Sequence, residues 1–438
     1  MSPYGGLILE VVSKLFSTEA LDSRGNPTLE VTMSLSNGVQ GTALVPSGAS
    51  TGASEALELR DGDPKRFQGQ GVLRAVENVN TIIASEVVGY SLKDQESLDR
   101  KLIDLDGSSN KNKLGANAIL GVSMAFAHAV ANHKRQPLYL RFHDQGGFVL
   151  PVPMLNIING GRHATNSIDF QEFMIVPAAF DNFKDSLRAG VEIYHSLKEL
   201  LVSLKLSTSV GDEGGFAPDL SSNEQAIELI VDAIDKAGYV PGKQCFIALD
   251  VAASEFFVME DGTYDLESEK SVYTPEELID RYESWTSKYP IISIEDGMAE
   301  GDWDNWKSLT ERIGRRVQLV GDDLLTTNTT LIQKGIDLDA SNAVLIKPNQ
   351  IGTITETLEA IKLAKASDWG VIISHRSGET EDTIIADLAV GTNAGQIKAG
   401  APARSERTSK YNRLLRIEHE LGYKAEFAGR EIYDKYNS

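Results

Sequence analysis

A single cysteine, Cys245, stands in a chain of 438 residues, so no disulfide forms within it and a reducing compartment suits it. Cys245 opens an apolar run after Gln244 and reads as a core filler rather than a reactive thiol. Long apolar runs are missing too: none approaches the roughly 20 residues of a membrane helix, so no membrane insertion is expected. The opening stretch MSPYGGLILEVVSKLF lacks the basic region and cleavage site of a secretory leader, and a cytoplasmic location is expected. Positive charge is the scarcer sign. With 42 Lys and Arg against 63 Asp and Glu, the formal charge is −21, and such a surface repels a nucleic-acid backbone. An anionic small substrate is not excluded, because a local cation cluster or a bound metal reverses the field. Low-complexity tracts, heptads and short repeats are absent. The remaining composition, 41% hydrophobic and 24% charged, is that of a globular protein of two or more domains.

Two regions differ in pattern. Up to about residue 145, strand-like segments precede helix-like ones. GNPTLEVTMSLSNGVQGTALVPSG alternates on either side of Asn37-Gly38, a hairpin signal, and NKLGANAILGVSMAFAHAVANH reads as a buried helix. An α+β domain is therefore expected over 1–145. From 146 to 438, short apolar runs recur, mostly separated by helical stretches: VPMLNIIN, QEFMIVP, CFIALDVA, IISIEDG, VQLVGDD, NAVLIKPN, GVIISHR and QIKAGAP. Eight strands close a (β/α) barrel. The link between the first two is too short for a crossover helix, so that pair is expected to be antiparallel and the rest mostly parallel. The expected fold class is α/β: a C-terminal eight-stranded barrel plus the N-terminal domain.

Most of these strands stay apolar until an ionisable residue appears at the C-terminal end: Asp250, Glu295, Asp322, Lys347, His375 and Lys398. Barrel active sites lie at that mouth. Any one of these residues could be a structural ion pair; six in register point to a site. Asp250, Glu295 and Asp322 would repel one another without a cation, and an all-oxygen donor set favours magnesium or manganese over zinc. The adjacent Asp296 and Asp323 are expected, by strand alternation, to point away and support the barrel wall. Lys347 and Lys398 face this acidic group. A lysine with its pKa lowered by burial and a second cation is a proton-abstracting base, and opposite a metal it suits removal of a proton beside a carboxylate.

Three further stretches are less specific. SHRSGETEDT brings Arg376 beside Ser377, a fitting phosphate anchor, although such arginines often only pair with surface acids. VPSGASTGASEALELRDGD is a Ser/Gly-rich loop, with Ser47, Ser50 and Thr51, expected before a helix; it could cap that helix, hold an anion or close as a lid. VGDEGGFAP places Glu213 among glycines on a loop, where a carboxylate is usually solvated.

Together LDSRGNPTLEV, VPSGASTG, NGGRHATN, QEFMIVP, GDEGGFAP, SIEDG, GDDLLTTN, LIKPNQIGT, SHRSGETEDT and GQIKAGAPARSER resemble the enolase family in its bacterial form, in order, from about residue 12 to 433. The resemblance implies an enolase-type barrel and the reversible dehydration of 2-phospho-D-glycerate to phosphoenolpyruvate in glycolysis and gluconeogenesis. A lysine base working with magnesium is a known arrangement of this superfamily. By resemblance, Lys347 is the base at C2, and Glu213, with Glu172 and His163 alongside, is the acid that protonates the departing C3 hydroxyl. Asp250, Glu295 and Asp322 would hold a first magnesium ion. A second would arrive with substrate, held in part by Ser50 on a closing loop. Gln171, His375, Arg376, Ser377 and Lys398 match substrate-binding positions, Arg376 and Ser377 on the phosphate and Lys398 on the carboxylate. A homodimer or octamer is implied. Relatives also bind host proteins at cell surfaces or join RNA-processing assemblies, which is the alternative function; a cell-surface or secreted fraction would accompany it. Gly297 and Pro348 stand where many relatives carry other residues, beside catalytic positions rather than at them.

Overall fold

The computed structural model describes residues 10–48, 52–92, 94–143, 146–164 and 166–436. Three antiparallel strands, β1 (Val12–Leu21), β2 (Pro27–Leu35) and β3 (Gln40–Leu44), form the N-terminal sheet. The β2–β3 turn is the expected hairpin, with Gly38 at φ 84° and the Asn37 side chain accepting from Val39 N. Helices α1 (Gln95–Asp106) and α2 (Ala116–His133) follow. Nearly all of α2 is buried, and small residues let it lie against the sheet. A Cβ on Gly41 would stand 2.1 Å from Ala129 N, so any side chain there would push helix and strand apart.

The helix expected after the Ser/Gly-rich loop does not begin at once; helical chain follows further on, over Leu73–Asn78, Val79–Ile83 and Ala84–Val87. Residues 56–60 run as irregular chain, with Leu57 N donating to Asn110 O and Leu59 buried. Burying Leu59 under α2 outweighs the helix propensity of ASEALEL. Ser50 and Thr51 lie outside the described residues, so the position expected to help hold the second magnesium is among them.

The eight predicted strands all form: β4 (Val152–Asn159), β5 (Glu172–Val176), β6 (Phe246–Asp250), β7 (Ile291–Glu295), β8 (Gln318–Gly321), β9 (Ala343–Ile346), β10 (Gly370–Ser374) and β11 (Gly395–Lys398). They close into one barrel in the order β7-β8-β9-β10-β11-β4-β5-β6. Only β5 is reversed, antiparallel to both β4 and β6. Helices α3 (Phe183–Ser203), α4 (Asn223–Lys236), α5 (Pro275–Lys288), α6 (Trp303–Ile313), α7 (Thr329–Leu338), α8 (Ile354–Ala366), α9 (Ile384–Gly391) and α10 (Ser405–Leu421) connect or follow the strands. At the N-terminal end of the barrel, Tyr433 and Tyr436 are buried and their hydroxyls donate to the barrel glutamines Gln396 and Gln318. That end is plugged by side chains, which leaves the C-terminal mouth as the open one. Among the described residues no helix is long and apolar enough to cross a membrane.

Candidate active site

Strand register assembles the acidic wall. Cα partners run Glu172 to Asp250 to Glu295 across β5, β6 and β7, so three carboxylates stand side by side at the mouth. Because β5 is reversed, it offers the mouth its first residue rather than its last. All three are at most 3% exposed. Lys398, from β11, reaches them together: its Nζ lies 3.0 Å from Asp250 Oδ2, 2.8 Å from Glu295 Oε1 and 3.3 Å from Glu172 Oε2.

The segment after β9 shows how a strand end becomes a site. Lys347 leaves the strand, Pro348 occupies the first position of a short helical turn, where its missing N–H costs nothing, and Gly352 at φ 99° ends that turn. Thr353 then caps α8 by accepting from Glu356 N. Lys347 N donates to Thr327 Oγ1, and its Nζ is ion-paired with Asp322 Oδ2. Gln350 Nε2 donates to the other Asp322 oxygen at 2.8 Å.

These contacts correct the expected lysine electrostatics. Burial, the largest single influence, pushes the Lys347 pKa down, but the carboxylates around it, Asp322 foremost and then Glu295, together reverse it and the net direction is up. Burial acts likewise on Lys398, and Asp250, Glu172 and Glu295 reverse it strongly. Both ammonium groups are therefore held charged in this arrangement. Arg376 and Lys398 do press Lys347 downward, as expected of neighbouring cations.

Asp296 and Asp323 were expected to face away, yet both line the pocket. Alternation fails because Asp296 has left the strand, with φ 42°. Its carboxylate accepts from Asp322 N and Asp323 N, both at 2.9 Å, so it does serve the supporting role. Burial, Asp323 and Asp322 hold the Asp296 carboxyl well above the ordinary range; burial and Asp322 push Asp323 up to about 8.

Across the mouth, Glu213 is buried rather than solvated, at 2% exposed. Asn156 Nδ2 donates to its Oε2 at 3.1 Å, and His375 Nε2 lies 3.2 Å from the same oxygen. His163 Nδ1 sits 3.4 Å from Glu172 Oε1 and 3.7 Å from Glu213 Oε1. Burial and Glu213 push Glu172 up to about 7. Burial opposes ionisation of Glu213 as well, but the neighbouring histidines hold it well below the usual range. His375 is the larger of these two causes and His163 the smaller; carboxylates raise the His163 pKa despite burial, whereas burial takes that of His375 down to about 4.

Arg376 and Ser377 stand beside the pocket, but the Arg376 guanidinium is paired with Glu55, Nη1 to Oε2 at 2.9 Å. The loop LDSRGNP reaches the same place, where Ser23 N donates to Glu379 O and Arg24 Nη1 lies 3.5 Å from Ser377 Oγ. Gln171 is buried at the rim, its Oε1 without a hydrogen-bond partner among the described residues.

The acidic groups suit a divalent cation. Among the described residues Glu295 Oε2 is buried with no donor, although Lys398 pairs with Oε1, and burial and Asp250 push that carboxyl well up, so one oxygen is left for a further cation. Asp296, Asp322 and Asp323 bring one oxygen each within 4.8 Å of one another, and His163, Glu172 and Glu213 form a second such group. Asp250, Glu295 and Asp322 do not converge as closely, since Lys398 holds the first two and Lys347 the third.

Two family profiles cover this architecture. "Enolase, N-terminal domain" matches residues 12–142, and "Enolase, C-terminal TIM barrel domain" matches residues 147–436. The chain belongs to the enolase family. An enolase-type function, that of a lyase, follows from this membership, and the family uses magnesium. Five residues at the candidate site were not evident as site groups in the sequence: Glu55, Asn156, Arg407 and the pocket-lining pair Asp296 and Asp323. Glu172 itself had a signal from the strands alone, because a reversed β5 must bring its N-terminal residue to the mouth.

Proposed function

We propose that this enolase interconverts 2-phospho-D-glycerate and phosphoenolpyruvate plus water. One observation carries the reading. Lys347, just past the end of β9, and Glu172 on β5 stand four strands apart in either direction around the eight-stranded barrel, on opposite sides of one buried pocket. A base and an acid so placed act on opposite faces of a substrate, which suits loss of a C2 proton on one side and a C3 hydroxyl on the other.

Lys347 removes the C2 proton after releasing Asp322, and Arg376 and Lys398 beside it favour its neutral form. Glu213, with Glu172 and His163, delivers a proton to the departing hydroxyl. Arg376 and Ser377 hold the phosphate once Arg376 leaves Glu55, while Lys398, Gln171 and His375 contact the rest of the substrate. Asp250, Glu295 and Asp322 would hold magnesium, which when bound supplies the positive charge that stabilises a carboxylate gaining negative charge. Ser50 would contribute to a second magnesium ion. The cavity between these side chains is small, about 20 Å³, room for about one water, so both lysines must withdraw from the carboxylates for a three-carbon phosphate to bind.

We further propose a bacterial-type, cytoplasmic enolase that divides near residue 145 into its two domains and assembles as a homodimer or octamer. Light scattering would size the assembly. The function is tested by following phosphoenolpyruvate formation from 2-phospho-D-glycerate. Turnover that stops on chelation and returns with magnesium is expected; folded, magnesium-loaded protein without turnover would overturn the proposal.

A further inference from the structure

Helix α10 carries two charged side chains that are almost wholly enclosed, Arg407 at 0% and Lys410 at 1% exposure. Lys410 pairs with Glu379 at 2.7 Å and donates to Thr380 O. Arg407 does something more specific. Its Nη1 donates to His375 Nδ1 at 2.6 Å and to Arg376 O at 2.5 Å. Its Nη2 donates to Ser377 O at 2.6 Å and to Asp212 O at 3.2 Å. One guanidinium thus ties the end of β10 to the loop that carries Glu213. Room for it is made by Gly400 at φ 82°, where a Cβ would stand 2.8 Å from Arg407 Cδ and 3.0 Å from His375 Cε1.

A guanidinium has donors and no acceptor. Nδ1 of His375 must therefore present a lone pair, and the neutral ring must carry its proton on Nε2. That atom is the one 3.2 Å from Glu213 Oε2. We propose that Arg407 is a positioning residue of the reaction: by fixing the His375 tautomer it keeps the ring proton on Nε2, the nitrogen 3.2 Å from Glu213 Oε2, and by binding three carbonyls it holds the acid loop against the phosphate-binding strand end. The proposal rests on the proposed function for its kinetic consequence but not for the tautomer itself. Burial and the adjacent Arg407 charge both disfavour the imidazolium, against Glu213 and Glu379, so His375 serves as a fixed donor and not as a proton reservoir. The effect on the reaction runs through Glu213, whose Oε2 would otherwise be held, among the described residues, by Asn156 alone.

Nitrogen-15 NMR of histidine-labelled protein tests this, with His375 assigned by its disappearance in His375→Gln. The wild-type protein is expected to show Nδ1 unprotonated and Nε2 protonated; a protonated Nδ1 would overturn the assignment whether or not any Arg407 variant folds. Arg407→Lys should retain the tautomer, because an ammonium also only donates, whereas Arg407→Met should give a mixture. In Arg407→Met, kcat for dehydration should fall roughly 10- to 100-fold, the scale of losing a positioned group. KM should stay within roughly 3-fold, as expected when substrate binding is spared. An unchanged kcat alongside a mixed tautomer would refute the positioning role. Wild-type protein that shows the tautomer but no turnover would overturn the proposed reaction and leave the tautomer assignment standing.

Discussion

Lys398→Met is the sharpest perturbation of this site, because one ammonium stands among three buried carboxylates. Lys398 Nζ is within 3.3 Å of Asp250, Glu295 and Glu172, and all four groups are at most 3% exposed. Methionine keeps much of the volume and removes the charge. Breaking a buried ion pair from one side costs about 3–5 kcal/mol, since the remaining charge is left without a partner. An unfolding entropy of about 0.9 kcal/mol/K for 438 residues converts this to a fall in Tm of about 3–5 °C. The loss should be largest at neutral to alkaline pH. As pH falls the carboxyls take up protons, Glu295 and Glu172 first because burial already holds both high, and the variant should regain stability. Magnesium supplies a discriminating arm. If the ammonium and the metal draw on the same oxygens, magnesium should raise the Tm of Lys398→Met more than that of the wild type, and the gap seen in chelator should narrow. Differential scanning calorimetry in chelator and in saturating magnesium measures both. Equal Tm values in chelator would show that the three carboxylates do not depend on Lys398. A gap of the same size in both buffers would show that lysine and metal do not share ligands.

Two further outcomes follow from the acid and base positions. Lys347→Ala should slow exchange of the C2 proton with solvent by roughly 10²- to 10⁴-fold, the scale of a general base, while Glu213→Gln should retain exchange and slow hydroxyl loss; exchange at the wild-type rate in Lys347→Ala would remove it as the base. Glu172 gives a pH signature with a definite sign. Its carboxyl is raised from 4.5 to about 7, so the folded state binds more protons than the unfolded state in that window, and its contribution to stability is present at low pH and lost as pH rises toward 7. Denaturant unfolding of Glu172→Gln against wild type should show the variant gaining relative stability from pH 4.5 to 7, and a pH-independent difference would contradict the assignment. The comparison is made as a difference because His375, lowered from 6.5 to about 4, contributes the opposite slope and is present in both proteins.

Much of this protein was legible in its residues for physical reasons. The eight apolar runs are barrel strands because each is buried on both faces, and a charged residue ends such a run only where the chain reaches a polar mouth. Asn37-Gly38 announced its hairpin because few other pairs tolerate the required backbone. The short link before QEFMIVP announced a reversed strand, since no crossover fits in it. These are local constraints, carried by neighbours in the sequence, and local pattern suffices to state them.

What only the tertiary structure decided depends on groups far apart in the chain. The Ser/Gly-rich loop leads into irregular chain over residues 56–60, with helical chain only from Leu73, because burying Leu59 prevails over a local preference. Asp296 faces the site because its φ of 42° breaks the alternation that local pattern assumes. The lysines are held charged, not neutral, because Asp322 lies against Lys347 and three carboxylates surround Lys398, and a charge state is set by neighbours in space. Arg407 reads in ARSER as one more surface cation. Its role rests on His375, Ser377 and Asp212, as many as 195 residues away in the chain, and the closed barrel alone brings them within hydrogen-bond distance.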